Sequence, residues 1–238
     1  MKCSPARRRL LAGAMRPLDV AAIVCVVAWA AGLLYLGTAG FRPRLLRSRC
    51  QANLRQIGPA LQLYAKDSKG LLPDCTPENP RYASPVWPWD MHTNLVADLE
   101  ARGLKRSNFY CPANSEMNDD RHWNFFRADP APTRVLGYGS LFKGTRQVPR
   151  SLWCEKIAGD GRTPPAQAEL SFDATAAIDD DFTAIQGTWR DRSNHVRDKS
   201  ALGGNILFLD GHVEWRDFSD MQVRFSTISA VGRVDWSY

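Results

Sequence analysis

Residues 20–41 read VAAIVCVVAWAAGLLYLGTAGF, a run without a charged side chain. About 18 or more apolar residues are enough to cross the roughly 30 Å hydrocarbon core of a bilayer as one helix. No second run of this kind follows. The sequence therefore predicts a helix that either anchors the chain in a membrane or directs its export. Apolar cores of signal peptides are shorter, about 7–15 residues. That length favours a retained transmembrane helix over residues 18–41 behind a basic leader over 1–17. The alternative is a signal peptide cut near Gly37-Thr38-Ala39.

Charge is distributed around this run. The net charge of +6 is a balance of +10 before residue 70 and −4 after it. Residues 1–41 carry five basic side chains and one acid, and residues 42–69 carry seven basic side chains against Asp67. Residues 70–238 carry 19 basic and 23 acidic side chains. Cations that flank an apolar run suit lipid headgroups. A nucleic-acid binder would place its basic patch on the folded domain, so nucleic acid is excluded as a partner. The flanking cations give a slight preference for a cytoplasmic N-terminus.

Working outward from the run, Pro43 disfavours helix at Arg42. Leu46, Cys50, Leu54, Ile57, Leu61 and Tyr64 then recur at helical spacing, opposite Arg47, Gln51, Arg55, Gln62 and Lys66. This predicts an amphipathic helical stalk over residues 42–69. Pro59 either kinks it or opens a new segment after Gly58. The remainder, 70–238, reads as a head domain. Its proline-rich loop over 71–90 carries Trp87 and Trp89, and residues 93–103 predict a short helix. Residues 109–111 and 135–142 predict strands, with a long loop over 112–134 pinned by Trp123, Phe125 and Phe126. The strongest local signal is Asp210-Gly211 between two apolar runs, which predicts a two-residue hairpin. Residues 221–225 suggest a further strand.

Six cysteines divide by position: Cys3 and Cys25 lie before or inside the run, and Cys50, Cys75, Cys111 and Cys154 follow it. Outside a membrane, disulfides among Cys75, Cys111 and Cys154 are candidates, with three full pairings open when Cys50 is included. Buried free thiols account for the same residues equally well. No Cys-x-x-Cys pair is present, which argues against a zinc ribbon.

Several blocks occur in a telling order: the apolar run, Cys50-Gln51-Ala52-Asn53-Leu54-Arg55-Gln56-Ile57-Gly58, Phe109-Tyr110-Cys111-Pro112, Asn194-His195, and the stretch from Gly203-Gly204-Asn205 to Asp210-Gly211-His212-Val213-Glu214-Trp215. In these the chain resembles the type II secretion pseudopilin-like proteins with prepilin-type N-terminal cleavage and methylation, of planctomycete and verrucomicrobial type. The resemblance implies an α+β, pilin-like fold. A long N-terminal helix, its first half membrane-spanning, would pack on a small antiparallel sheet with long loops. It implies a single pass through the bacterial inner membrane, with the N-terminus cytoplasmic and the head periplasmic. Its partners would be that membrane and other pseudopilins or secretion-machine subunits. An ungapped count back from Cys50 places Asp19 where the family carries its assembly glutamate. Ala14 stands where the family has its cleavage glycine. Read without the resemblance, Asp19 is a helix N-cap.

Candidate sites in the head each have a structural counterpart. His195, Asp210 and His212 offer metal-ligand chemistry, with Asn194 or Glu214 to complete a site. Asp210 is equally a turn residue, and His212 an exposed strand residue. Asp179-Asp180-Asp181 offers oxygen ligands for calcium, but three adjacent acids also read as a solvated turn. Trp87 and Trp89, among prolines, are candidates for a ligand face. The expectation is no resident cofactor, with zinc or calcium the ions such sites would take. No nucleophile elbow, phosphate loop or zinc-protease motif is present, so the chain does not read as an enzyme. The expected function is a membrane-anchored pseudopilin-like structural protein of a type II secretion or type IV pilus-like assembly. The alternatives are an anchored periplasmic glycan-binding module and a metal-dependent hydrolase.

Overall fold

The computed structural model describes residues 16–83, 85–125, 132–183, 185, 193–229 and 232–238, without the side chains of residues 34–40 and 229. Ala14 and the basic residues before it, Phe126 and Trp189 lie outside the described residues. The chain divides into two units, Met1–Arg42 and Pro43–Tyr238. Helix α1 (Pro17–Asp67) runs through both. In the first unit its described side chains are exposed, Leu18, Trp29 and Phe41 most of all. The Asp19 carboxylate accepts from the Arg16 amide at 3.2 Å, so Asp19 is the third helical residue reaching back to the cap position and not the N-cap itself.

Among the described residues, no helix is long and apolar enough to cross a membrane. This overturns the membrane-spanning first half of the expected pilin-like fold. The single-pass inner-membrane location, with a cytoplasmic N-terminus and periplasmic head, falls with it. So does the description as a membrane-anchored pseudopilin of a pilus or protein-transport assembly.

Among the described residues, the expected single small sheet is also replaced, by four antiparallel ones. The largest is ordered β3 (Tyr138–Ser140), β4 (Glu169–Asp173), β8 (Gly203–Phe208), β9 (Val213–Asp217). A second is ordered β10 (Val223–Ser229), β11 (Gly232–Ser237), β5 (Ala176–Ala177). Two pairs complete the set: β1 (Asp90–His92) with β2 (Thr133–Val135), and β6 (Val196–Arg197) with β7 (Ser200–Ala201).

Within the second unit, only the part of α1 from Pro43 onward takes part in the core, through the face that its spacing marks out. Cys50, Leu54, Ile57 and Leu61 are buried. Gln51 donates to the Val213 carbonyl at 3.0 Å, so this face lies on the β8–β9 hairpin. Gly58 sits at the closest approach: a Cβ there would stand 3.3 Å from Leu207 and 3.5 Å from Gly211. The helix continues through Pro59, which is exposed. The hydrogen bond that proline removes is therefore lost on the solvent side, where water can replace it. Burial of Ile57, Ala60 and Leu61 on the other side offsets the cost.

Residues 93–103 form α2 (Thr93–Glu100), with Leu95, Val96 and Leu99 buried and Gly103 at φ +99° closing the last turn. The hairpin differs from its expected form. Phe208 N donates to His212 O and Gly211 N donates to Phe208 O, so the loop holds three residues with only Gly211 in the left-handed region. That is a type I turn followed by a left-handed bulge residue. The strand expected at residues 109–111 is absent, because a short 3-10 turn, Arg106–Phe109, ends there. The strand expected over 135–142 is split between β2 and β3 at Leu136-Gly137. Gly137 marks where the chain around Tyr110-Cys111 crosses, since a Cβ there would stand 2.9 Å from the Cys111 nitrogen.

Candidate metal centre

Four separate segments bring four potential ligands together. Cys50 comes from the buried face of α1, and Asp173 ends β4 opposite Tyr138. Cys111 precedes the 3-10 turn Pro112–Met117 and is held in place where the chain passes Gly137. His195 leads into β6 and adopts φ +49°. That conformation is stabilised on both sides: Asn194 N donates to Ala174 O at 2.8 Å, and Leu202 N donates to His195 O at 3.0 Å. The His195 ring also stands edge-on to Trp215, with centroids 5.1 Å apart.

The ligating atoms all lie within 4.8 Å of one another. Cys50 Sγ is 3.0 Å from Asp173 Oδ1, Cys111 Sγ is 3.3 Å from His195 Nε2, and His195 Nε2 is 3.3 Å from Asp173 Oδ2. Tetrahedral zinc, with bonds of roughly 2.3 Å to sulfur and 2.0 Å to nitrogen or oxygen, has ligand-to-ligand edges of about 3.3–3.8 Å. These three separations match such edges or fall short by at most about half an ångström, and the remaining pairs lie within 4.8 Å. Every ligand is nearly or wholly inaccessible, from Cys50 at 0% exposure to His195 at 5%.

A second layer fixes the carboxylate. Asn205 donates to Asp173 Oδ2 through both its backbone nitrogen (2.7 Å) and its side-chain amide (2.9 Å). Asn194 Nδ2 donates to Asp173 Oδ1 at 2.8 Å and to Gly137 O at 2.6 Å. Such outer hydrogen bonds orient a metal ligand and delocalise its charge. Tyr138 Oη lies 3.3 Å from Cys50 Sγ.

Burial acts first on every ionisable group here. It pushes the Cys50 thiol well up, and the neighbouring Cys111 and Asp173 push it the same way. Burial would also raise Asp173, but the adjacent His195 and the bonds from Cys50 and Asn205 outweigh it and leave Asp173 below the ordinary carboxylate range. For His195 burial works downward, and Asp173 reverses it to about 10. Without an ion the cluster is a buried carboxylate–imidazolium pair beside two thiols. A divalent cation would replace the imidazolium proton and the two thiol protons.

The geometry argues against a nucleophilic triad. In a triad, one imidazole nitrogen faces the nucleophile and the other faces the carboxylate. Here the same Nε2 faces both Cys111 and Asp173. That convergence on one nitrogen is how imidazole meets a metal.

The sequence-level candidates scatter. His195 alone of its expected trio joins the cluster. Asp210 and His212 pair with each other at 2.6 Å on the exposed hairpin loop, and Glu214 faces solvent 3.7 Å from Arg216. Cys75, Cys111 and Cys154 are free thiols, so the structure contains no disulfide among them. The Asp181 carboxylate is taken up by Thr183 and by Lys199 at 3.0 Å, which leaves the acidic triplet as a turn. Trp87 and Trp89 are core residues at 4% and 1% exposure, packed on Trp236, so neither forms a ligand face. Sequence reasoning missed Asp173 altogether. It placed Cys50 on a helix face and Cys111 among the disulfide candidates. The available signal was that Cys50, Cys111 and His195 each lie in one of the blocks that stood out along the chain.

No family model, curated protein or solved structure matches the chain.

Proposed function

We infer that the chain is a non-enzymatic structural protein whose folded body is locked by a zinc ion held by Cys50, Cys111, Asp173 and His195. The observation that carries this is the convergence of four buried ligands, within 4.8 Å, from four segments far apart in sequence. Two thiolates and an imidazole select a borderline-soft ion such as zinc over calcium or magnesium, which take oxygen ligands. A catalytic zinc keeps one position open for water or substrate, whereas structural zinc fills all four with protein. Four protein ligands and no solvent access favour the structural role. The ion would tie α1 to the β3–β4–β8–β9 sheet, and because the unfolded chain has no such site, its binding energy becomes folding energy.

The test is metal content. Chain purified under reducing conditions should carry one zinc per molecule. Cobalt substitution should give thiolate charge-transfer bands and tetrahedral ligand-field absorption. Asp173→Asn and His195→Ala should each lower metal affinity by tenfold or more, and removal of the metal should lower Tm by more than about 10 °C. A folded chain with reduced thiols that holds neither zinc nor cobalt, and whose Tm does not respond to zinc, would overturn the proposal.

A further inference from the structure

We propose that a cleft at the other end of β4, away from the metal cluster, binds an acidic oligosaccharide bearing carboxylate or sulfate groups. The cleft has a volume of about 530 Å³, and none of the four metal ligands lines it. Its size falls within the range of roughly 300–1,000 Å³ typical of small-molecule sites. Arg150, Lys156, Arg162 and Arg224 stand around it, with Trp153 and Gln167 in its wall.

The charges that face it are unequally committed. Glu169 is held by Arg216 at 2.7 Å and Arg224 at 3.1 Å. Asp160 accepts from the Arg162 and Thr163 amides in its own turn, and Glu155 faces Lys143 at 3.9 Å. Glu169 and Asp160 are therefore satisfied within the protein, while Glu155 is exposed and held only loosely. Among the described residues, Arg150 and Lys156 have no carboxylate partner, and Arg162 reaches Asp160 only at 3.8 Å with both groups exposed. An anion placed in the cleft would meet Lys156 and Arg162 without displacing a close ion pair, beside Arg150, whose guanidinium lies over the Trp153 ring 5.5 Å from its centroid. Guanidinium groups can also grip carboxylate or sulfate with two parallel bonds.

The neutral part of the lining indicates the body of the ligand. Trp153 is half-buried, and its indole nitrogen donates to Val148 O at 3.0 Å, so the ring is fixed in orientation. One rigid aromatic ring among amides, hydroxyls and charges suits a polar ring-shaped molecule such as a sugar. It suits a flat apolar acid less well, since that would ask for a mostly apolar wall. The cleft does not call for a covalent step. Cys154 lines it, but burial pushes its thiol up to about 12, and it donates to Glu169 O.

The experiment is calorimetric titration of the full chain with four probes: trigalacturonate, a sulfated heparin tetrasaccharide, neutral maltotriose and tripolyphosphate. The proposal expects one or both acidic sugars to bind, and maltotriose and tripolyphosphate to bind at least tenfold more weakly. Which acidic sugar binds identifies carboxylate or sulfate as the recognised group. The double variant Arg150→Ala/Lys156→Ala and the single variant Trp153→Ala should each weaken that binding tenfold or more, with Tm measured alongside to confirm folding. Should Trp153→Ala fail to fold, Trp153→Phe keeps an aromatic ring, and a folded chain with a smaller loss of binding counts for the proposal. Absence of binding by both acidic sugars would overturn it. Equal binding of tripolyphosphate, or folded variants with unchanged affinity, would do the same.

Discussion

Asp173 and Asp98 are both held below the ordinary carboxylate range, but only one of them is within reach of solvent. At Asp98 burial works to raise the pKa, and hydrogen bonds from Arg81 and Tyr82 overcome it. Arg81 Nη2 lies 2.7 Å from Oδ1 and Arg81 Nε lies 3.2 Å from Oδ2, a two-pronged grip, while the Tyr82 hydroxyl donates to Oδ2. Because the folded-state pKa is depressed, this carboxylate stabilises the fold fully above its unfolded pKa of about 3.9. The contribution is lost as pH falls through the lower folded value. Asp98→Asn should therefore be less stable than the parent chain at pH 7, with the gap shrinking as pH falls below about 3.9 toward the depressed folded-state value. Urea unfolding of both chains across that range checks this, and a gap that stays constant with pH would rule out the ionised pair as its source. Asp173 is one of the four proposed metal ligands, so its effect on stability should follow ion binding, which itself competes with protons at the neighbouring thiols and imidazole.

At the scale of elements, positions where backbones cross matter more than propensities. The amphipathic spacing of α1 was legible because burial on one side obeys the helical period, and Cys50, Leu54, Ile57 and Leu61 all obey it. The Asp-Gly hairpin was legible in place, but its loop length was not, because that depends on how β8 and β9 pair. Gly137 carried no readable signal: a glycine between two strands looks like any turn. Its role exists only because Tyr110-Cys111 passes across it, with Gly137 N donating to Phe109 O at 2.9 Å. A Cβ at Gly137 would press on backbone atoms, 2.9 Å from Cys111 N and 3.0 Å from Tyr110 Cα, and neither can rotate away. Gly137→Ala should cost about 1–3 kcal/mol, the usual penalty for overpacking. Because the displaced segment carries Cys111, the cobalt spectrum of the variant should shift as well. A variant with parent-like urea midpoint and unchanged spectrum would show that the crossing has slack.

At the scale of the whole molecule, the cluster was illegible for a reason that is itself physical. Short metal motifs are readable because two ligands share one turn or one helix face. Here the ligands are single residues dispersed between positions 50 and 195, and only tertiary packing brings them together. Asp173 sits in the buried strand sequence Glu169-Leu170-Ser171-Phe172-Asp173, where one acid at a strand end resembles a surface residue. The same packing gives the chain its division. The main core runs from Cys50 to Tyr238, and all four ligands fall inside Pro43–Tyr238. Among the described residues of the first unit, the large apolar side chains are exposed and contribute nothing to that core. A chain beginning at Pro43 should thus keep the zinc stoichiometry of the full protein and unfold within about 5 °C of it, since little of the buried apolar area that sets stability is removed. The α1 helix would start at Pro43, an acceptable first helical residue because its missing N–H would have no partner there in any case. Metal analysis and calorimetry of the two chains side by side provide the measurement. A shortened chain that retains zinc but melts far lower would mean that residues before Pro43 cover part of the core, whereas loss of zinc would mean that they help to position Cys50.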